Sequence, residues 1–344
     1  MLSVNNDVLD NILSSDLSAM KDFIFSSVDN EDIKLATDII SHLVKSGGKK
    51  IRPKLVFVIC KMLGYSGKDR IKIAASVEFI HNATLLHDDV LDRSEVRHGV
   101  RAANKIWGDK SSILVGDLLL TLAFRWLIEC RDLNILSILS KASRLLVSGE
   151  IKQMTTCFDP YSIRESYFDI IGKKTASLFS ACCEAASVIS DATNEETESL
   201  KNFGFNFGIA FQIIDDMLDY TANQNTSGKQ IGKDFFEGKV TLPVIIAYEK
   251  SSLEEQKFWE KCFSSSKRDF DQALYYINQH DAIELSIEEA KHYINIALDN
   301  ISIFPDSPCK TALINLLNVS TSIKRRTSLV LDIFRLVAIY LLGS

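Results

Sequence analysis

The chain has 344 residues, 46% of them hydrophobic and 24% charged, with a formal net charge of -6. That is the balance of a globular protein, long enough to bury its own core without disulfides or a structural metal. The acidic total argues against binding to a phosphate backbone, so no nucleic acid partner is expected. A locally basic pocket for a small phosphate ligand is not excluded.

The first residues, MLSVNNDVLDNILSSDL, lack a basic segment followed by an apolar one, so no secretory signal is expected. Only five prolines occur, and between them apolar residues recur at spacings of three and four. This period predicts an all-α protein. No βαβ alternation, Gly-rich nucleotide loop or linker interrupts it, so a single domain over 1–344 is expected. No run reaches the ~20 apolar residues of a bilayer span. The seven cysteines form no CxxC pair or zinc-site spacing and read as reduced thiols of a cytoplasmic protein.

The first loop candidate is Ser46-Gly47-Gly48-Lys49-Lys50, running into Ile51-Arg52-Pro53. Glycine lets backbone approach an anion closely, Arg can clamp phosphate oxygens bidentately, and Lys supplies a point charge. A helix-like run from Ile71 follows and ends in His87-Asp88-Asp89-Val90-Leu91-Asp92. Asp88 and Asp92, four apart, project from one helical face. Arg97 and His98 come one or two turns later, and Lys173-Lys174-Thr175 lies mid-chain.

A second run, from about Leu200, ends in Gln212-Ile213-Ile214-Asp215-Asp216-Met217-Leu218-Asp219. Gly204 and Gly208 on its approach predict close helix packing. A polar loop is expected from Thr221 to Lys239, with Gly228-Lys229 and Gly238-Lys239 in it. The apolar tail, about 328–344, carries Asp332 and Arg335 and reads as a docking helix.

One DDxxD motif reads equally well as a solvated acidic helix end. Two such motifs, each closing an apolar helix, are better explained by shared cations, because grouped carboxylates repel unless a cation lies between them. Magnesium suits them: it takes oxygen ligands, keeps waters and bridges to phosphates. Each basic residue alone reads as a solvated surface charge; their combination with two acidic motifs points to a diphosphate.

These segments resemble the trans-polyprenyl diphosphate synthase family, particularly its long-chain, octaprenyl type. GGKKIRP, EFIHNATLLHDDVLD, RHG, GKKTA, FQIIDDMLDY and GKQIGKDFFEGKVTLP occur in the family's order over nearly the whole chain. The resemblance implies an isoprenoid synthase-type helical bundle around a central cavity. It implies a prenyl transferase that condenses isopentenyl diphosphate onto an allylic primer of farnesyl or geranyl type. The expected product is a long all-trans polyprenyl diphosphate for quinone side chains, made by a homodimer in transient contact with membrane.

By the same resemblance, Asp88, Asp92 and Asp215 would hold Mg2+, with Asp89, Asp216 and Asp219 in support. Lys49, Arg52 and His81 would bind isopentenyl diphosphate. Arg97, Lys174, Thr175, Gln212 and Lys229 would serve the allylic side, with Lys239 and Gln153 as further candidates. His98 replaces the family's second arginine, so weaker and pH-sensitive isopentenyl diphosphate binding is expected. Small residues at Ala83 and Thr84 imply a long product, with Ala83, Ile80, Phe79 and Ser76 on the face below Asp88.

Rival readings are a class I terpene cyclase, which also uses DDxxD, and a di-iron bundle built on Glu-x-x-His. The latter spacing occurs at Glu78/His81, Glu95/His98 and Glu289/His292. A non-catalytic partner subunit is the third.

Overall fold

The computed structural model describes residues 4–46, 48–97, 99–157, 159, 164–221, 231–264 and 268–319. The described chain is built almost wholly of helices. The first four are α1 (Val4–Asp29), α2 (Lys34–Lys45), α3 (Ile51–Met62) and α4 (Asp69–Leu91). A two-stranded hairpin, β1 (Val96–Arg97) with β2 (Val100–Arg101), leads to α5 (Ala103–Trp107), α6 (Asp109–Glu129) and α7 (Leu133–Thr156). Then come α8 (Arg164–Ile171), a π-helical turn (Gly172–Ala176), α9 (Ser177–Ile189) and the long α10 (Asn194–Thr221). The remainder is α11 (Lys233–Phe236), α12 (Leu242–Lys250), α13 (Leu253–Ser264), α14 (Phe270–Gln279), α15 (Ala282–Ile301) and α16 (Pro308–Val319).

Local signals start several of these helices. Thr193 and Glu196 form a reciprocal capping box ahead of α10: the Thr193 N–H donates to Glu196 Oε2 at 2.8 Å, and the Glu196 N–H to Thr193 Oγ1 at 3.2 Å. Asp132 caps α7 by accepting from the Asn134 and Ile135 amides.

Helices α4 and α10 form the centre, α4 against α3 and α6, α10 against α9 and α15. Aromatic rings fill the core beside α4: Phe79 lies 4.8 Å from Trp126, which lies 5.0 Å from Phe23. Gly204 and Gly208 give the close approach expected of them. A Cβ at Gly204 would lie 2.5 Å from Phe179 O, and one at Gly208 2.6 Å from Ala176 Cα. Asp16, buried on α1, receives Lys61 and Arg70 and so ties α1 to α3 and α4. Burial would raise its pKa, but the two cations outweigh burial and hold it below the usual carboxylate value.

Three expectations are corrected here. The hairpin was not foreseen. Of the loop expected from Thr221 to Lys239, Thr221 still belongs to α10, and the part described from Ile231 onward contains α11. And α6 is, by length and composition, apolar enough to cross a bilayer, although Asp117 and Arg125 interrupt it. It packs on α4 through Val115, Leu119, Leu122, Ala123 and Trp126 as a core helix. The apolar tail at 328–344 lies outside the described residues.

Candidate active site

The first aspartate motif ends α4. Asp92 caps the helix, its N–H donating to Asp88 O at 2.8 Å, and Arg93 turns the chain away with φ +52°. The hairpin then brings Arg97 back onto the motif. Its Nε and Nη2 donate to Asp89 Oδ1 at 3.0 and 2.5 Å. Asp89 is only 2% exposed, and Asn104 Nδ2 donates to its carbonyl at 3.0 Å. Arg97, expected on the allylic side, is in this structure held by the middle aspartate. Asp88 keeps its own carboxylate out of these bonds. Burial raises its pKa to about 6; the positive charge of Lys174 pulls it down, while Glu150 and Asp92 push it up.

The second motif ends α10. Gln212 Nε2 donates to Asp216 Oδ1 at 2.8 Å, Thr175 Oγ1 donates to Gln212 Oε1 at 2.7 Å, and the Tyr167 hydroxyl donates to Asp216 Oδ2 at 2.6 Å. Tyr167, Asp216, Gln212 and Thr175 form one chain of hydrogen bonds, which fixes the orientation of the Gln212 amide. Burial, then Asp234, raises Asp216 well above the ordinary carboxylate value. Asp219 accepts from the backbone amides of Lys233 and Asp234 at 3.0 and 2.9 Å. Its pKa is raised to about 7, by burial first and Asp234 next.

Lys239 joins the two motifs. Its Nζ lies 3.6 Å from Asp92, 3.5 Å from Asp234 and 2.7 Å from Glu237. Through Asp234 it reaches the turn that holds Asp219. Lys233 Nζ, from the same segment, donates to Ser94 Oγ at 3.3 Å. The two acidic helix ends therefore meet across one cleft.

Lys174 enters the cleft on the π-turn, an extra-wide turn of the kind found frequently at functional positions. Its Nζ donates to Gln153 Oε1 at 2.7 Å and pairs with Glu150. Lys49 and Arg52 stand at the start of α3. Burial lowers Lys49 to about 7, with Lys54 adding to the effect. Arg52 places its guanidinium 4.3 Å from the centre of the Phe179 ring, and its Nε is buried without a hydrogen-bond partner. A buried donor without an acceptor costs about 1–3 kcal/mol, which an arriving phosphate oxygen would recover. Glu78, whose pKa is raised by burial and drawn back by Lys50 and Arg52, lies one turn before His81 on α4.

Asp88, Asp92, Asp219, Lys174, Thr175, Gln212 and Lys239 are thus brought together, with Asp215 on the same end of α10. Lys49, Arg52 and His81 belong to the α3–α4 side. His98 and Lys229 lie outside the described residues. Tyr167, Glu150 and Asp234 were missed. Asp234 stood inside a quoted motif without a role; Tyr167 and Glu150 meet their partners only through the fold.

Among the described residues no three Asp, Glu, His or Cys side chains preassemble a metal cluster. The donors present are hard carboxylate oxygens on two facing helix ends, which fits a cation completed by water and phosphate oxygens.

The family model described as polyprenyl synthetase matches residues 33–279. Octaprenyl diphosphate synthase of Haemophilus influenzae is 35% identical over 316 residues, 91% of this chain and 96% of that protein. The crystal structure of a decaprenyl diphosphate synthase from Rhodobacter capsulatus superposes with a TM-score of 0.89 at 34% identity, covering 93% of this chain and 100% of that one. A Caulobacter crescentus polyprenyl synthase complexed with calcium and isoprenyl diphosphate superposes with a TM-score of 0.87 at 35% identity, covering 94% and 98%.

Proposed function

Since the chain belongs to the polyprenyl synthetase family, we propose how its cleft performs the condensation and which ligands it takes. The protein is a long-chain trans-prenyltransferase. The substrates we assign are isopentenyl diphosphate and an allylic diphosphate of farnesyl or geranyl type, and the product serves quinone side chains. The observation that carries this assignment is the meeting of the two aspartate motifs around Lys239.

Asp88, Asp92 and Asp215 would hold the divalent cation, which we take to be Mg2+. Bound there, it supplies Lewis acidity to the departing diphosphate. Lys174 and Lys239 offer their ammonium groups to the same diphosphate, so the allylic C–O bond breaks in a preorganised positive field. Thr175 and Gln212, locked through Asp216 and Tyr167, set carbonyl and hydroxyl dipoles beside the carbon that loses it. Lys229 joins this side in our reading.

Lys49, Arg52, His81 and His98 hold isopentenyl diphosphate, whose double bond attacks the allylic cation. Loss of a proton to the released pyrophosphate then regenerates an allylic diphosphate. The helical shell excludes water, which would otherwise trap the cation.

We place the enzyme in the cytoplasm as a homodimer, its long product bringing it into transient contact with membrane. The decisive experiment incubates the purified chain with labelled isopentenyl diphosphate, each primer and Mg2+, and resolves the products by chromatography. Long polyprenyl products that vanish with a chelator support the reading; no elongation from any primer refutes it.

A further inference from the structure

Three residues of α7 form the seat of the π-turn lysine. A Cβ at Gly149 would lie 2.7 Å from the Lys174 backbone N, so the missing side chain lets the two backbones close up. The next residue, Glu150, meets the Lys174 ammonium through Oε2. Gln153, one turn on, accepts from the same Nζ at 2.7 Å. Glu150 is largely buried, its side chain 16% exposed, and among the described residues Lys174 is its only ion-pair partner.

The charge of the same ammonium is also felt by Asp88. Lys174 is the strongest attractive charge acting on it, yet the two form no ion pair, while Arg97 nearby is committed to Asp89. A further carboxylate in an anion site opposes binding by repulsion, so Glu150 calls for a compensating role. We propose that Glu150 is a positioning residue: with Gln153 it anchors Lys174 away from Asp88. The carboxylate of Asp88 is thereby left to the divalent cation, and the ammonium faces the allylic diphosphate. This rests on the roles given above to Asp88 and Lys174.

The test is Glu150→Gln in the full chain, which keeps the shape and removes the charge. Calorimetric titration with Mg2+ in the presence of inorganic pyrophosphate should show binding weakened about tenfold, the usual size of a coupling between neighbouring sites. In turnover, the allylic KM should rise while the isopentenyl diphosphate KM stays constant. In a Lys174→Met background, Glu150→Gln should change the titration no further.

An unchanged Mg2+ titration overturns the proposal. So does a loss of equal size in the Lys174→Met background, or an equal rise in both KM values. Should Glu150→Gln fail to fold, Glu150→Asp, which withdraws the carboxylate from the ammonium, is read in the same way. A wild-type protein that makes no product refutes the assigned function alone, because the calorimetric comparison needs only Mg2+ and pyrophosphate.

Discussion

Asp88 and Asp219 keep their protons to about pH 6 and about pH 7, chiefly because burial disfavours their charge. Unfolded, they would titrate near the ordinary value of 3.8. The folded state therefore binds more protons between these limits. The stability the two groups contribute is full below about 3.8 and is lost as pH rises through about 6 and then about 7. Melting curves of the metal-free protein should show Tm falling over this window. Mg2+ with pyrophosphate should restore most at its upper end, and Asp88→Asn should flatten the lower part of the slope. At Tyr167, replacement by Phe leaves Asp216 Oδ2 buried without its donor. Urea unfolding should show a loss of about 1–3 kcal/mol.

The helix α4 carries both the carboxylates of the first aspartate motif and the wall beneath them. Ala83 is fully buried, five residues and thus about 7.5 Å below Asp88. Phe79, a turn further, meets Trp126, and the Ser76 hydroxyl is spent on the Ala123 carbonyl at 3.0 Å. Ala83→Phe adds a ring where the growing chain would pass, so chromatography should show shorter products. The helices, the two acidic ends and the glycine pair on α10 were legible because period, spacing and side-chain size are local properties. The contact of Arg97 with Asp89 was not legible because it is decided by a hairpin of two-residue strands, too short to leave an alternating pattern. Tyr167 was invisible for a related reason: its acceptor lies 49 residues away, and nothing in its own neighbourhood announces it.

At the scale of the molecule, the helical class followed from composition and period, while the outer surface did not. Leu114, Val147, Ile151 and Met154 on α6 and α7 are more than half exposed. Val147 and Ile151 line a recess of about 540 Å³ beside Phe124. Apolar surface left in water favours association, which makes this the face through which the proposed homodimer would form. If the wild-type chain sediments as the proposed dimer, Val147→Asp with Ile151→Asp should shift it to monomer.

The π-turn at Gly172–Ala176 is in effect one residue too many in an otherwise continuous rod. Excising Lys173 would let the rod close into a regular spiral with its flanking segments still in phase. π-Turns are the rarer ladder, so the shortened chain should keep its helical content, although Gln212 and Glu150 would lose the Thr175 hydroxyl and the Lys174 ammonium and with them some resistance to urea. It would nonetheless make no polyprenyl product, because the ammonium and hydroxyl carried by the surplus turn would rotate out of the cleft. Helicity and turnover would part company at a single codon.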